Sequence, residues 1–93
     1  MTNVKILKFY TETCMPCKVL TKILDKIEGV EIEAINANED VAKVNEYNIC
    51  ATPTLVFLRD GEEFERTHGM VSESKIKEII ASAEVDKEAK EQV

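Results

Sequence analysis

Cys14 and Cys17 bracket Met15 and Pro16 where an apolar strand meets an amphipathic helix. Upstream, Val4, Lys5, Ile6, Leu7, Lys8, Phe9 and Tyr10 form a β-branched and aromatic run that reads as a strand. Downstream, Val19, Leu20, Ile23, Leu24 and Ile27 recur at helical spacing and predict a helix with one buried face. Pro16 suits the first turn of that helix, where its missing N–H removes no hydrogen bond. Cys14 therefore falls at a helix N-terminus, where unpaired N–H groups and the macrodipole favour a thiolate. A thiolate is the nucleophile of disulfide exchange, and Cys17, one turn on, is near enough to close a disulfide. The spacing suits a redox dithiol. Taken alone, the pair reads equally as half a zinc site, with Cys50 and His68 completing a Cys₃His set.

The elements that must hold this pair follow from periodicity and punctuation. Glu28 and Gly29 predict the stop of the first helix, with Gly29 as its left-handed residue. Residues 30–35 read as a second strand. Asn36 or Asn38 is expected to cap a short helix over 39–47, with Val41 and Val44 inward and Asn48 ending it. Residues 54–58 form a continuous apolar run suited to a central strand. Asp60 and Gly61 are a two-residue hairpin signal, so 63–68 should pair antiparallel with it. Ser72 is expected to cap a last helix carrying Ile76, Ile79, Ile80 and Ala83 on one stripe. Its charged end, 84–93, either extends the helix or frays, fraying being expected near the last residues. The predicted order is β-α-β-α-β-β-α, an α/β fold with a four-stranded mixed sheet flanked by helices.

A chain of 93 residues is expected to be a single domain, 1–93. The formal net charge of −6 argues against nucleic acid as a partner. No apolar stretch is long enough to span a bilayer, and no leader resembles a signal peptide, so no membrane association is expected. Three cysteines are too few and too odd in number for a secreted disulfide scaffold. They suit a cytoplasmic redox or metal role.

The segment Phe9-Tyr10-Thr11-Glu12-Thr13-Cys14-Met15-Pro16-Cys17-Lys18 resembles the active-site segment of the thioredoxin family. A second resemblance lies in residues 47–57, where Thr52-Pro53-Thr54 is similar to the family's cis-proline loop and strand. Gly69, between a charged strand and the last helix, is the third. These occur in the family's order across nearly the whole chain and imply the minimal thioredoxin-like fold, without the usual N-terminal strand and helix. The resemblance implies a monomeric thiol-disulfide oxidoreductase that reduces protein disulfides, its only redox group being the Cys14–Cys17 disulfide. Cys14 would attack, Cys17 would resolve, and Met15, Pro16, Thr52, Pro53 and Gly69 would meet the substrate. Electrons would come from a thioredoxin-reductase-type flavoprotein.

Some positions depart from the family pattern. Thr13 replaces the tryptophan that usually precedes the first cysteine, and Met15 stands where glycine is usual. Lys8 falls where thioredoxins carry a buried aspartate, and Ala34 where they carry the lysine beside it. Lys8 either reaches solvent along its alkyl stem or acts on the sulfurs, favouring thiolate and lowering Cys14. Cys50 reads as a small, partly buried residue or as a third oxidisable thiol. His68 reads as an exposed strand residue. Proline directly before the second cysteine is the thioredoxin arrangement, and Gly69 is followed by Met70 rather than the second glycine of glutaredoxins. The alternatives are a glutathione-dependent, glutaredoxin-like reductase and an accessory binding subunit built on the same fold.

Overall fold

The computed structural model describes residues 4–91, with side chains to residue 83. Its elements are β1 Val4–Tyr10, α1 Met15–Leu24, β2 Glu31–Asn36, α2 Val41–Glu46, β3 Thr54–Arg59, β4 Glu62–His68 and α3 Glu73–Glu91. The sheet order is β2-β1-β3-β4, with β1 parallel to β2 and the other pairs antiparallel. This is the predicted α/β architecture.

Period-two alternation in the two central strands divides the core between the sheet faces. Ile6, Leu55 and Phe57 pack with Leu20, Leu24 and Ile27 and with Ile76 and Ile79 of α3. On the other face Leu7, Phe9, Ile35, Val56 and Leu58 meet Val44, Tyr47 and Ile49. Helices α1 and α3 thus cover one face and α2 the other. Phe64 is the extra residue of a β4 bulge, and its ring lies 6.3 Å from that of Phe57.

Local chemistry sets the connections. Asp60 and Gly61 both take positive φ, 53° and 88°, as the two-residue hairpin requires. Ser72 Oγ accepts from Lys75 N at 3.1 Å and caps α3 as expected. Asn48, at φ 54°, follows the end of α2, also as expected.

Four details differ from the sequence expectations. Helix α1 ends at Leu24 rather than near Glu28, because Lys26 N and Ile27 N bond three residues back, to Ile23 O and Leu24 O. That tightening leaves α geometry while still delivering Ile27 to the core. Val19 is exposed, since the buried stripe runs through Cys17, Leu20 and Leu24. The cap of α2 is Asp40, whose Oδ1 accepts from Lys43 N at 3.1 Å. Asn36 is occupied in its own turn, accepting from Asn38 N at 2.9 Å. Val41, at the start of this short helix, is exposed, and Val44 alone of the two turns inward. The helix α3 runs on to Glu91, and residues 92 and 93, where fraying was expected, lie outside the described residues. Among the described residues no helix is long and apolar enough to cross a membrane.

On β4, Glu63 accepts from Arg66 Nε at 2.7 Å and Nη2 at 2.8 Å. The Arg66 hydrogen bonds hold the Glu63 carboxyl below its ordinary value of 4.5. Its folded value lies under the unfolded one, so its contribution is complete above about pH 4.5 and fades as pH falls through the lowered value. We expect Glu63→Gln to lower stability modestly at neutrality, where the ion pair is intact, and to leave it unchanged at low pH, so that the acid side of stability against pH flattens, measured by urea unfolding across pH.

Candidate functional site

Cys14 is the N-cap of α1, with φ −87° and ψ 104°, and its Sγ accepts from Cys17 N at 3.2 Å. The sulfur thus takes the place an aspartate or serine oxygen usually fills, against a free N–H of the first turn. Cys14 N in turn bonds Thr11 O at 3.3 Å, fixing the strand-to-helix junction. Pro16 lies in the first turn, as expected. The two sulfurs form a disulfide, with Cα atoms 5.2 Å apart, and Cys50 is free. Cys14 is half-buried, whereas Cys17, on the inner stripe of α1, is 2% exposed. Met15 between them is 66% exposed.

The second resemblance segment packs beside this junction. Thr52–Pro53 is cis, and Pro53 O accepts from Gly69 N at 2.8 Å, tying the two loops together. Gly69 has φ 74°, which a side chain tolerates poorly, while the space beside its Cα is open. A cleft of about 230 Å³ runs from Thr11 to Cys50, Ala51 and Thr52, so the loops before Cys14 and before Pro53 line one surface depression.

Two expectations about single residues are corrected. Lys8 does not reach solvent: it is 7% exposed, and its Nζ donates to Thr21 Oγ1 at 2.6 Å. Lys8 shares the face of β1 that α1 covers, and the Thr21 hydrogen bond holds its ammonium against that helix. Cys50 is exposed rather than partly buried, because it lies on the loop between α2 and β3, where its Sγ approaches Asn48 O at 3.7 Å. His68, at the end of β4, is exposed as expected and stands 3.4 Å from Thr54 Oγ1. Among the described residues no group of three His, Cys, Asp or Glu is placed to hold a metal ion. The Cys₃His arrangement is therefore not assembled.

Thr21 belongs to the site and was not singled out from sequence. Its signal was available: it follows Cys17 by four positions, one turn along the same helix face. Its Oγ1 donates to Cys17 O at 2.9 Å while accepting from Lys8.

A mixed sheet with helices on both faces and an N-capping dithiol defines a thiol-disulfide oxidoreductase of the thioredoxin fold. The family model described as Thioredoxin matches residues 2–82. Thioredoxin from Chlamydia caviae is 30% identical over 83 residues, covering 85% of this chain and 81% of its own. Thioredoxin from Mycoplasmoides gallisepticum is also 30% identical, covering 85% of this chain and 84% of its own. A mutant thioredoxin from Halobacterium salinarum superposes with TM-score 0.83 at 28% identity, over 87% of this chain and 74% of its own. The chain belongs to the thioredoxin family, and its activity is dithiol–disulfide exchange through Cys14 and Cys17.

Proposed function

We propose that the protein is a cytoplasmic, monomeric disulfide reductase whose Cys14 attacks protein disulfides and whose Cys17 resolves the resulting mixed disulfide. The carrying observation is the asymmetry of the pair, with Cys14 at the surface on a helix N-terminus and Cys17 buried behind it. An incoming disulfide meets the outer sulfur first. The N–H groups of the first turn stabilise that sulfur as thiolate. Attack breaks the substrate S–S bond, joins Cys14 to one substrate sulfur and sends the electron pair out on the other. Cys17 then attacks Cys14, the protein disulfide closes, and the second substrate thiolate leaves and takes a proton from water.

In this reading Met15 and Pro16 form the outer contact surface beside Cys14. The backbone of Thr52, held by Pro53, pairs with an extended substrate segment in the manner of strand addition. The open ground beside Gly69 leaves room for that segment. The free, exposed Cys50 suits a reducing compartment.

The donor is proposed to be a flavoprotein reductase of the thioredoxin-reductase type, using NADPH. Turnover of a protein disulfide is expected with NADPH and a thioredoxin reductase, and little with glutathione and glutathione reductase. Turnover sustained by glutathione alone would replace this reading with the glutaredoxin-like one.

A further inference from the structure

The sheet face beneath α1 contains a charged side chain among apolar ones. Ile6 and Lys8 share this face of β1, with Ile32 and Ala34 beside them on β2 and Phe57 and Leu55 on β3. An ammonium withdrawn from water persists where hydrogen bonds and nearby charge offset its lost hydration. Here Lys8 Nζ donates to Thr21 Oγ1 at 2.6 Å and stands 5.5 Å from the centre of the Tyr10 ring. Thr21 Oγ1 donates to Cys17 O at 2.9 Å. The chain of contacts is continuous from the ammonium to the backbone of the buried cysteine. A cavity of about 340 Å³ opens at this place, lined by Lys8, Tyr10, Cys17, Thr21 and Ala34 among others. Among the described residues, Glu12 and Lys18 also line the cavity, and Asp25 after α1 acts on Lys8 through its charge.

We infer that Lys8, locked by Thr21 beneath Cys17, is a positioning residue whose positive charge holds the Cys17 sulfur in its attacking, thiolate form. The inference rests on the reading of Cys14 and Cys17 as the redox dithiol, and it assigns the charge to the inner sulfur rather than to Cys14. Before resolution, Cys17 must lose a proton although it is nearly inaccessible from outside. The cavity is roomy enough for water, each molecule needing roughly 30 Å³, so the proton leaves to solvent from below. The Lys8 charge stabilises what remains. Cys17 thiolate then forms the bond to Cys14, the bond from Cys14 to substrate breaks, and the electron pair departs on the substrate sulfur. Burial pushes the Lys8 amine below its ordinary value and Asp25 partly restores it. A thiolate on Cys17 acts in the same sense as Asp25, so each charge supports the other.

The test isolates the Cys17 thiol in a Cys14→Ser, Cys50→Ser background and follows its ionisation by thiolate ultraviolet absorbance against pH. Adding Lys8→Met is expected to move the Cys17 titration upward by about one pH unit, a tenfold loss of thiolate on the low-pH side. Thr21→Val, which keeps the charge and removes its lock, is expected to move it the same way by less. In the two-cysteine protein, Lys8→Met should make the potential more negative where wild-type Cys17 is ionised, about 30 mV for each tenfold. Coincident titrations for Lys8→Met and its parent would overturn the inference. If Lys8→Met does not fold, an unshifted Thr21→Val does so instead. Wild type equilibrating with a glutathione redox buffer keeps the two readings apart: its failure removes the dithiol reading itself, whereas a responsive wild type with unshifted variants removes only the role of Lys8.

Discussion

Cys14→Ser is expected to reduce protein-disulfide reduction to background, while Cys17→Ser leaves a protein that reacts once and stays attached to its substrate. The two results differ because the two sulfurs sit in different places. Cys14 accepts the first-turn N–H of Cys17 at the helix end and is the sulfur nearer solvent. Serine there presents an alcohol, which does not ionise near neutrality and does not attack a disulfide. No other residue replaces it, since Cys17 is 2% exposed. Cys50 is exposed, yet it sits on the loop before Pro53 and has no partner cysteine to close a second disulfide.

With Cys17→Ser the first step still proceeds, because Cys14 keeps its place at the N-terminus of α1. What is lost is the internal nucleophile one turn away that releases the substrate. Incubation with a disulfide-bonded protein followed by non-reducing electrophoresis should give a mixed disulfide that external dithiol dissolves. Peptide mapping should place the bond at Cys14. Turnover by Cys17→Ser at the wild-type rate would contradict the two-cysteine mechanism, as would a mixed disulfide held at Cys50.

The parts of this site that were legible in sequence were those set by local chemistry. A strand followed by C-x-P-C and an apolar helical stripe places Cys14 at a helix N-terminus wherever the strand lies in the sheet. Asp60-Gly61 specifies its hairpin because few other residues accept positive φ at both positions. What was illegible depended on partners far away in the chain. Periodicity grouped Val19 with the buried stripe, but which flank of α1 meets the sheet is decided by where Ile6, Leu55 and α3 lie. Lys8 sits in phase with Ile6, and sequence alone favours a stem that reaches solvent over an ammonium that acts on the sulfurs, whereas the side chain is buried. The hydroxyl of Thr21, thirteen positions on, is what draws it inward. The cap of α2 was ambiguous for a local reason instead: several side chains compete there, and Asp40 takes the cap while Asn36 accepts from its neighbour Asn38.

The expected effect of Phe57→Ala is a loss of roughly 3–5 kcal/mol of stability. Phe57 is fully buried in the central strand β3, opposite Ile6, on the face covered by α1 and α3. Truncation removes the apolar transfer gain of the ring and leaves a void that the sheet and two helices cannot close without moving. It also ends the edge contact with Phe64, a pair worth about 0.5–1.5 kcal/mol beyond burial. For a chain of 93 residues the whole stability is on the order of 5–14 kcal/mol, so this one ring decides a large share of it. Urea unfolding should give a midpoint lowered by that loss divided by the slope, the slope itself unchanged, and thermal unfolding a fall of tens of degrees. Phe64→Ala should cost less, because Phe64 is only partly buried at the outer strand. A Phe57→Ala loss below about 1 kcal/mol would mean the core collapses around the gap, which interiors packed at crystal-like density do not readily do. In the surviving folded fraction the dithiol should keep its potential, since Cys14, Cys17, Lys8 and Thr21 make no hydrogen bond to Phe57. Stability and redox chemistry would then separate cleanly, with the core holding the sheet in shape and the junction of β1 with α1 setting the sulfurs.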